Sequence, residues 1–271
     1  MNLPEPSYPR MWGLHLPGAL LRGVLWSAVG FVAAHVFFPG EAPVVAVTLM
    51  ALGQADYVEA LLDRNRAEIY GGQMPARRAN LRMARELCGL FLGIFAAYVA
   101  AVFLVPSERM GPVFGSLLGE FGGVRLREVD FGEFGVLMQR NLAVLLAGFL
   151  VSTLYRHGGI LLILAWNAAR WGVVLGAVGR LELSAGGAGA ALPVLLVLPH
   201  LLFEALAYVL AAMAGAFLGR GALRHKLTSP VFQQVGVAVL VLLLLSGLAL
   251  IVASAFESNL AGLLQGGGAG R

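Results

Sequence analysis

The sequence predicts an all-α fold, a polytopic transmembrane helix bundle with six or seven spans in a single domain. Three observations carry this. Apolar residues make up 59% of the chain and charged residues 13%, against roughly 45–50% and about 25% in soluble domains. The apolar excess falls in blocks divided by short polar stretches rather than spreading evenly. One block, Leu192 to Gly219, exceeds the ~20 apolar residues that cross a bilayer and carries His200 and Glu204 one helical turn apart, near mid-membrane. Ionisable groups at that depth are costly, so this segment is where function is sought.

The elements follow in order. Met1 to Gly18 is a proline-rich, tryptophan-bearing lead-in suited to the membrane interface, and no cleavable signal peptide is expected in it. Residues 19–256 form the transmembrane domain. Ala19 to Phe38 is the first span, with Arg22 able to snorkel at its edge and His35 interfacial. The run Pro39-Gly40-Glu41-Ala42-Pro43 makes a sharp turn. Val44 to Gly53 is short for a span; it crosses by borrowing Tyr57 to Leu62, or it is re-entrant. Asp63 to Glu86 reads as an arginine-rich loop, and Leu87 to Val105 as a span holding Gly89 and Gly93 at small-xxx-small spacing.

Pro106 to Arg140 is the longest polar stretch, with a short interfacial helix over Val129 to Met138. Asn141 to Tyr155 is apolar but brief, and Arg156-His157-Gly158-Gly159 parts it from the span Ile160 to Gly179. Leu183 to Ala191 is a glycine-rich loop. After the segment bearing His200 come a basic turn, Arg220 to Lys226, a last span, Val231 to Phe256, and a flexible tail, 257–271.

Charge sets orientation. The Asp63–Glu86 loop and the Arg220–Lys226 turn are the basic clusters, and both face the cytoplasm if the four segments between Leu87 and Gly219 all cross. Residues 106–140 and the C-terminus then lie outside. With seven spans, the preferred number, the N-terminus is inside; with six it is outside. The plasma membrane is the expected location. The net charge of +4 does not indicate a nucleic-acid partner, because the arginines sit in separate loops where no compact basic face forms. Cys88 is the sole cysteine, which excludes an internal disulfide and a thiolate metal cluster.

The intramembrane polar inventory is Asn141, Asn167, Arg170, His200, Glu204 and Tyr208. The last three are spaced i, i+4, i+8 and share one helix face. Pro199 removes a backbone donor and kinks the helix before His200. Arg170 set against Glu204 would neutralise two charges, and that contact is expected. Three roles stay open for the cluster: helix packing, a proton or ion relay, and catalysis. No catalytic, cofactor-binding or metal-ligating residue is assigned. His200-Leu-Leu-Phe-Glu204 has one histidine where a zinc hydrolase wants HExxH, no serine or cysteine nucleophile is evident beside a histidine, and Ala185–Ala190 lacks the Lys-Ser/Thr of a phosphate loop.

Pro199-His200-Leu201-Leu202-Phe203-Glu204, running on to Tyr208 and Ala214-Gly215, resembles the PHG-x-x-E segment of the stage II sporulation protein M family, in its archaeal and other non-sporulating form. Asn141, Gly158-Gly159 and Leu164-Ala165-Trp166-Asn167 resemble that family's paired asparagine-bearing helices, and Phe37-Phe38-Pro39-Gly40-Glu41-Ala42 its opening turn. Leu201 and Ala168 stand where the family carries glycine. The resemblance implies a polytopic protein that recruits and anchors partners instead of catalysing. The expectation is therefore a non-enzymatic scaffold, without cofactor, for envelope or peptidoglycan-remodelling partners, with loops 63–86 or 106–140 making the contacts. The alternative is a small transporter or channel using Arg170, His200 and Glu204; an intramembrane hydrolase ranks third. The bilayer is the first partner, and the pairs Gly89/Gly93, Gly172/Gly176 and Gly215/Gly219 would suit packing within one chain or in a homo-oligomer.

Overall fold

The computed structural model describes residues 16–39, 41–118, 134–184 and 191–266. Among the described residues all regular structure is helical: α1 Leu16–Phe37, α2 Ala42–Gly53, α3 Ala55–Tyr70, α4 Ala76–Leu104, a 3-10 turn Ser107–Arg109, α5 Met110–Leu118, α6 Phe134–Tyr155, α7 His157–Ser184, α8 Ala191–Arg224 and α9 Pro230–Gly266. Helices α1, α4, α7, α8 and α9 are each long and apolar enough to cross a membrane. The pair α2 and α3, bent by 43° at Gln54, makes a sixth candidate. The chain is thus a polytopic, multi-pass membrane protein.

Close contacts fix the helix directions. Ser27 on α1 donates to Met50 Sδ on α2 at 2.8 Å, and Gly30 packs on Ala46, so α1 and α2 are antiparallel. Gly89 rests on Leu16 and Ala19 while Gly23 rests on Leu90 and Ile94, so α1 and α4 run parallel. The chain must therefore be carried back between them by α2 and α3, which makes that pair a broken pass instead of a re-entrant dip. Gly172 against Phe95 and Gly176 against Val102 set α7 parallel to α4. Gly148 facing Ile163, with Gly159 facing Ser152, folds α6 and α7 into a hairpin joined by Arg156 alone. Gly215 and Gly219 lie on Phe149 and Thr153, so α8 is parallel to α6 and returns antiparallel into α9. Counting the α2–α3 pair once, direction alternates through α1, α2–α3, α4, α6, α7, α8 and α9. Helix α6, 22 residues long with Gln139, Arg140 and Asn141 in its first half, completes the alternation without being one of the candidate spans.

Burial sorts centre from rim. The spans in α7 and α8 are 67% and 72% buried, those in α1 and α9 only 22% and 28%. The outer faces of α1 (Leu21, Leu25, Val32) and α9 (Leu240, Leu244, Leu248) expose apolar side chains. In water such faces would be an aggregation hazard; in a bilayer they meet acyl chains.

Several expectations are corrected. The supposed loop from Asp63 to Glu86 is mostly helix, since α3 continues to Tyr70 and α4 begins at Ala76. Paired charges at i, i+4 sustain polar helix beyond the bilayer; Arg64 and Glu68 form one such pair. In the stretch from Pro106 to Arg140, α5 folds inward. Phe114 and Leu117 on it are buried, with Phe114 stacked on Phe31 at 5.7 Å. Asn141 to Tyr155 is the continuation of a helix that starts at Phe134. Helix α9 extends to Gly266, into the stretch read as tail. The expectations for residues 1–15, 40, 119–133, 185–190 and 267–271 lie outside the described residues.

Candidate functional site

Helical periodicity brings His200, Glu204 and Tyr208 onto one face of α8, and the antiparallel approach of α9 closes over them. His200 Nδ1 donates to the carbonyl oxygen of Ala253 on α9 at 2.9 Å. A carbonyl only accepts, so the hydrogen sits on Nδ1. His200 Nε2 stands 3.1 Å from Glu204 Oε2, an ion-pair approach, off the axis of an aligned hydrogen bond. Glu204 Oε1 accepts from the Tyr208 hydroxyl at 2.6 Å. On α7, Trp171 presents its ring edge-on to His200 at 5.8 Å. Ser246 on α9 donates to the Ala207 carbonyl at 2.7 Å, a second polar tie between α8 and α9. His200 and Glu204 are only 3% and 4% exposed, so the cluster is sealed from solvent.

The remaining predicted residues lie on the neighbouring helices α6 and α7. Glu204 Oε1 accepts from Tyr208 and Oε2 lies 3.1 Å from His200 Nε2, while Arg170 is half-buried on α7. Trp171, the next residue on α7, sets its ring edge-on to His200. Asn167 donates back to the Ile163 carbonyl of its own helix at 2.8 Å. Asn141 is half-buried on α6, apart from the hydrogen bonds of the cluster. His200 lies about 30 Å along α8 from Arg220, and Tyr208 stands near the middle of that helix. The two positions that depart from the resembled family, Ala168 and Leu201, are both buried in the core.

A second polar assembly at the basic end has no counterpart in the sequence reading. Arg82 pairs with Glu68, which also holds Arg64 at 2.9 Å, and lies 3.8 Å from Glu86. Glu86 is fully buried and accepts from Tyr57 at 3.2 Å. Arg22 covers the Tyr57 ring at 4.9 Å. Arg220 of α8 reaches Asp63 at 2.9 Å and Glu59 at 3.4 Å, tying α8 to α3. The signal was available in the i, i+4 spacing of Arg64/Glu68 and Arg82/Glu86. At the other end, Arg180 of α7 donates to the Val102 and Val105 carbonyls at 2.8 and 2.5 Å and so caps α4.

Among the described residues no three of His, Cys, Asp and Glu gather as a metal-ligand set. The three small-residue pairs are all spent inside the chain: Gly89/Gly93 on α1, Gly172/Gly176 on α4, Gly215/Gly219 on α6. Comparison with protein-family models, with curated proteins and with solved structures gives no match.

Proposed function

We propose that this multi-pass membrane protein is a non-enzymatic scaffold of the stage II sporulation protein M type. In this reading it resides in the plasma membrane and anchors envelope or peptidoglycan-remodelling partners. The observation that carries the reading is the closed state of the His200–Glu204–Tyr208 cluster. Tyr208 donates to Glu204, His200 donates to the Ala253 carbonyl and stands 3.1 Å from Glu204, and all three residues are buried. A transport path would set an ionisable side chain against water or a permeant ion. A sealed cluster instead fastens α8 to α9 and holds the bundle in one shape. Loops at the bundle ends are then the surfaces left to contact partners.

The test compares wild type, Glu204→Gln and Glu204→Ala by cross-linking and affinity purification from native membranes. A stoichiometric envelope partner is expected with wild type, falling in parallel with protein abundance in Glu204→Ala. Recovery of the protein alone, together with pH-dependent flux in reconstituted vesicles that Glu204→Gln abolishes, would replace this reading with transport.

A further inference from the structure

The basic end of the bundle holds a cavity of about 320 Å³ between α3, the start of α4, the end of α8 and the start of α9. Small-molecule sites begin at roughly 300 Å³. Its lining is divided by chemistry. Arg66, Arg220, Arg224 and His225 gather with Tyr70 and Gln234, and no carboxylate lines the cavity. The rest of the wall is apolar, with Leu62, Phe217, Val235 and Ala238.

The arginines are not equivalent. Arg220 and Arg224 are positioned from behind by Asp63, at 2.9 and 3.8 Å. Arg66 is exposed, and among the described residues no carboxylate lies within ion-pair distance of it. Asn65, 1% exposed, also lines the cavity. Its Nδ2 donates to Asn80 at 2.9 Å while its Oδ1 is left without a hydrogen-bond donor. A buried acceptor in that condition is costly unless a donor arrives.

Position completes the argument. The α8 span ends at Arg224 and the α9 span begins at Pro230, so the cavity lies where acyl chains give way to headgroups. Val235 and Ala238 stand on the first turns of the α9 span, and Phe217 about two turns before the end of α8.

We propose that this cavity binds one anionic glycerophospholipid. The phosphodiester lies against Arg66 and Arg224, whose guanidinium forks suit phosphate oxygens. A headgroup hydroxyl, as in phosphatidylglycerol, meets Tyr70 and Gln234 on the polar side of the wall. The first methylenes of the lipid run along Phe217, Val235 and Ala238, and the remaining chain stays in the bilayer. Free phosphate would use the arginines but leave the apolar half of the cavity unfilled. A choline headgroup would bring a cation against three guanidinium groups.

Native mass spectrometry of the detergent-purified full chain tests this, with phosphatidylglycerol, phosphatidylcholine and inorganic phosphate as probes. One phosphatidylglycerol per chain is expected, retained at collision energies that strip phosphatidylcholine and not displaced by inorganic phosphate. Arg66→Gln with Arg224→Gln should weaken retention about tenfold or more. Ala238→Leu should do the same by filling the apolar wall while leaving every arginine in place. Arg77→Gln, at an exposed arginine outside the cavity, should change nothing. Equal retention of phosphatidylcholine would overturn the proposal, as would indifference to both the arginine pair and Ala238→Leu. Displacement by inorganic phosphate would reassign the cavity to a soluble phosphate ligand.

Discussion

The imidazole of His200 and the carbonyl oxygen of Ala253 join α8 to α9 at 2.9 Å, and the same ring meets Glu204 through its other nitrogen. Glu204 is therefore the middle of a chain running from Tyr208 to the backbone of α9. Truncation to alanine leaves the Tyr208 hydroxyl and His200 Nε2 without their carboxylate, whereas glutamine retains an oxygen for Tyr208 and offers an amide to Nε2. Glu204→Ala should lower stability by about 2 kcal/mol and Glu204→Gln by under about 1 kcal/mol. Thermal unfolding in detergent reads the difference. Equal losses would mean that the polar chain contributes little and packing dominates.

Gly93 and Gly215 are contact points between backbones, not flexible joints. A side chain at Gly93 would strike the Leu20 carbonyl, and one at Gly215 the Phe149 carbonyl. Gly93→Leu and Gly215→Leu should each prevent accumulation of folded protein. Gly236 and Gly247 on α9 have open space around them, so Gly236→Ala and Gly247→Ala should be neutral or stabilising by up to about 1 kcal/mol. Yield on size-exclusion chromatography separates the two groups.

Arg156 adopts a left-handed backbone conformation, φ 54°, as the one residue between α6 and α7. Its N–H still caps α6 through the Ser152 carbonyl at 2.8 Å, a bond any residue can make. Glycine adopts that conformation without the Cβ penalty, so Arg156→Gly should raise thermal stability by about 1 kcal/mol. Arg156→Val should lower it.

Alternating helix directions put Arg78 and Lys226 at one end of the bundle and Ser107 at the other. Cysteines placed singly at these sites should label from opposite faces of intact membranes, with Arg78→Cys and Lys226→Cys sharing a side. Cys88, half-buried in α4, serves as the unlabelled background. Labelling of Ser107→Cys from the same side as Lys226→Cys would refute the alternation.

Much of this arrangement can be read from the residues. Apolar blocks mark the long helices because a bilayer demands unbroken helix across its width. The spacing of His200, Glu204 and Tyr208 defines one face because helix geometry is local. Spacing does not say which neighbour meets that face. Hence Trp171 and the Ala253 carbonyl meet His200, although the spacing names neither. The carbonyl has no sequence signature at all. The stretch from Asp63 to Glu86 misled for another reason. Its arginines resemble solvated loop, yet Arg64 and Arg82 pair with Glu68, and Arg82 approaches Glu86, on the two helices α3 and α4. Folding of α5 back onto Phe31 likewise depends on a distant partner.

The single-residue joint at Arg156 also couples two helices mechanically. It leaves no free length of chain between the end of α6 and the start of α7. Once seated they share one register, so that neither can slide along the membrane normal without dragging the other.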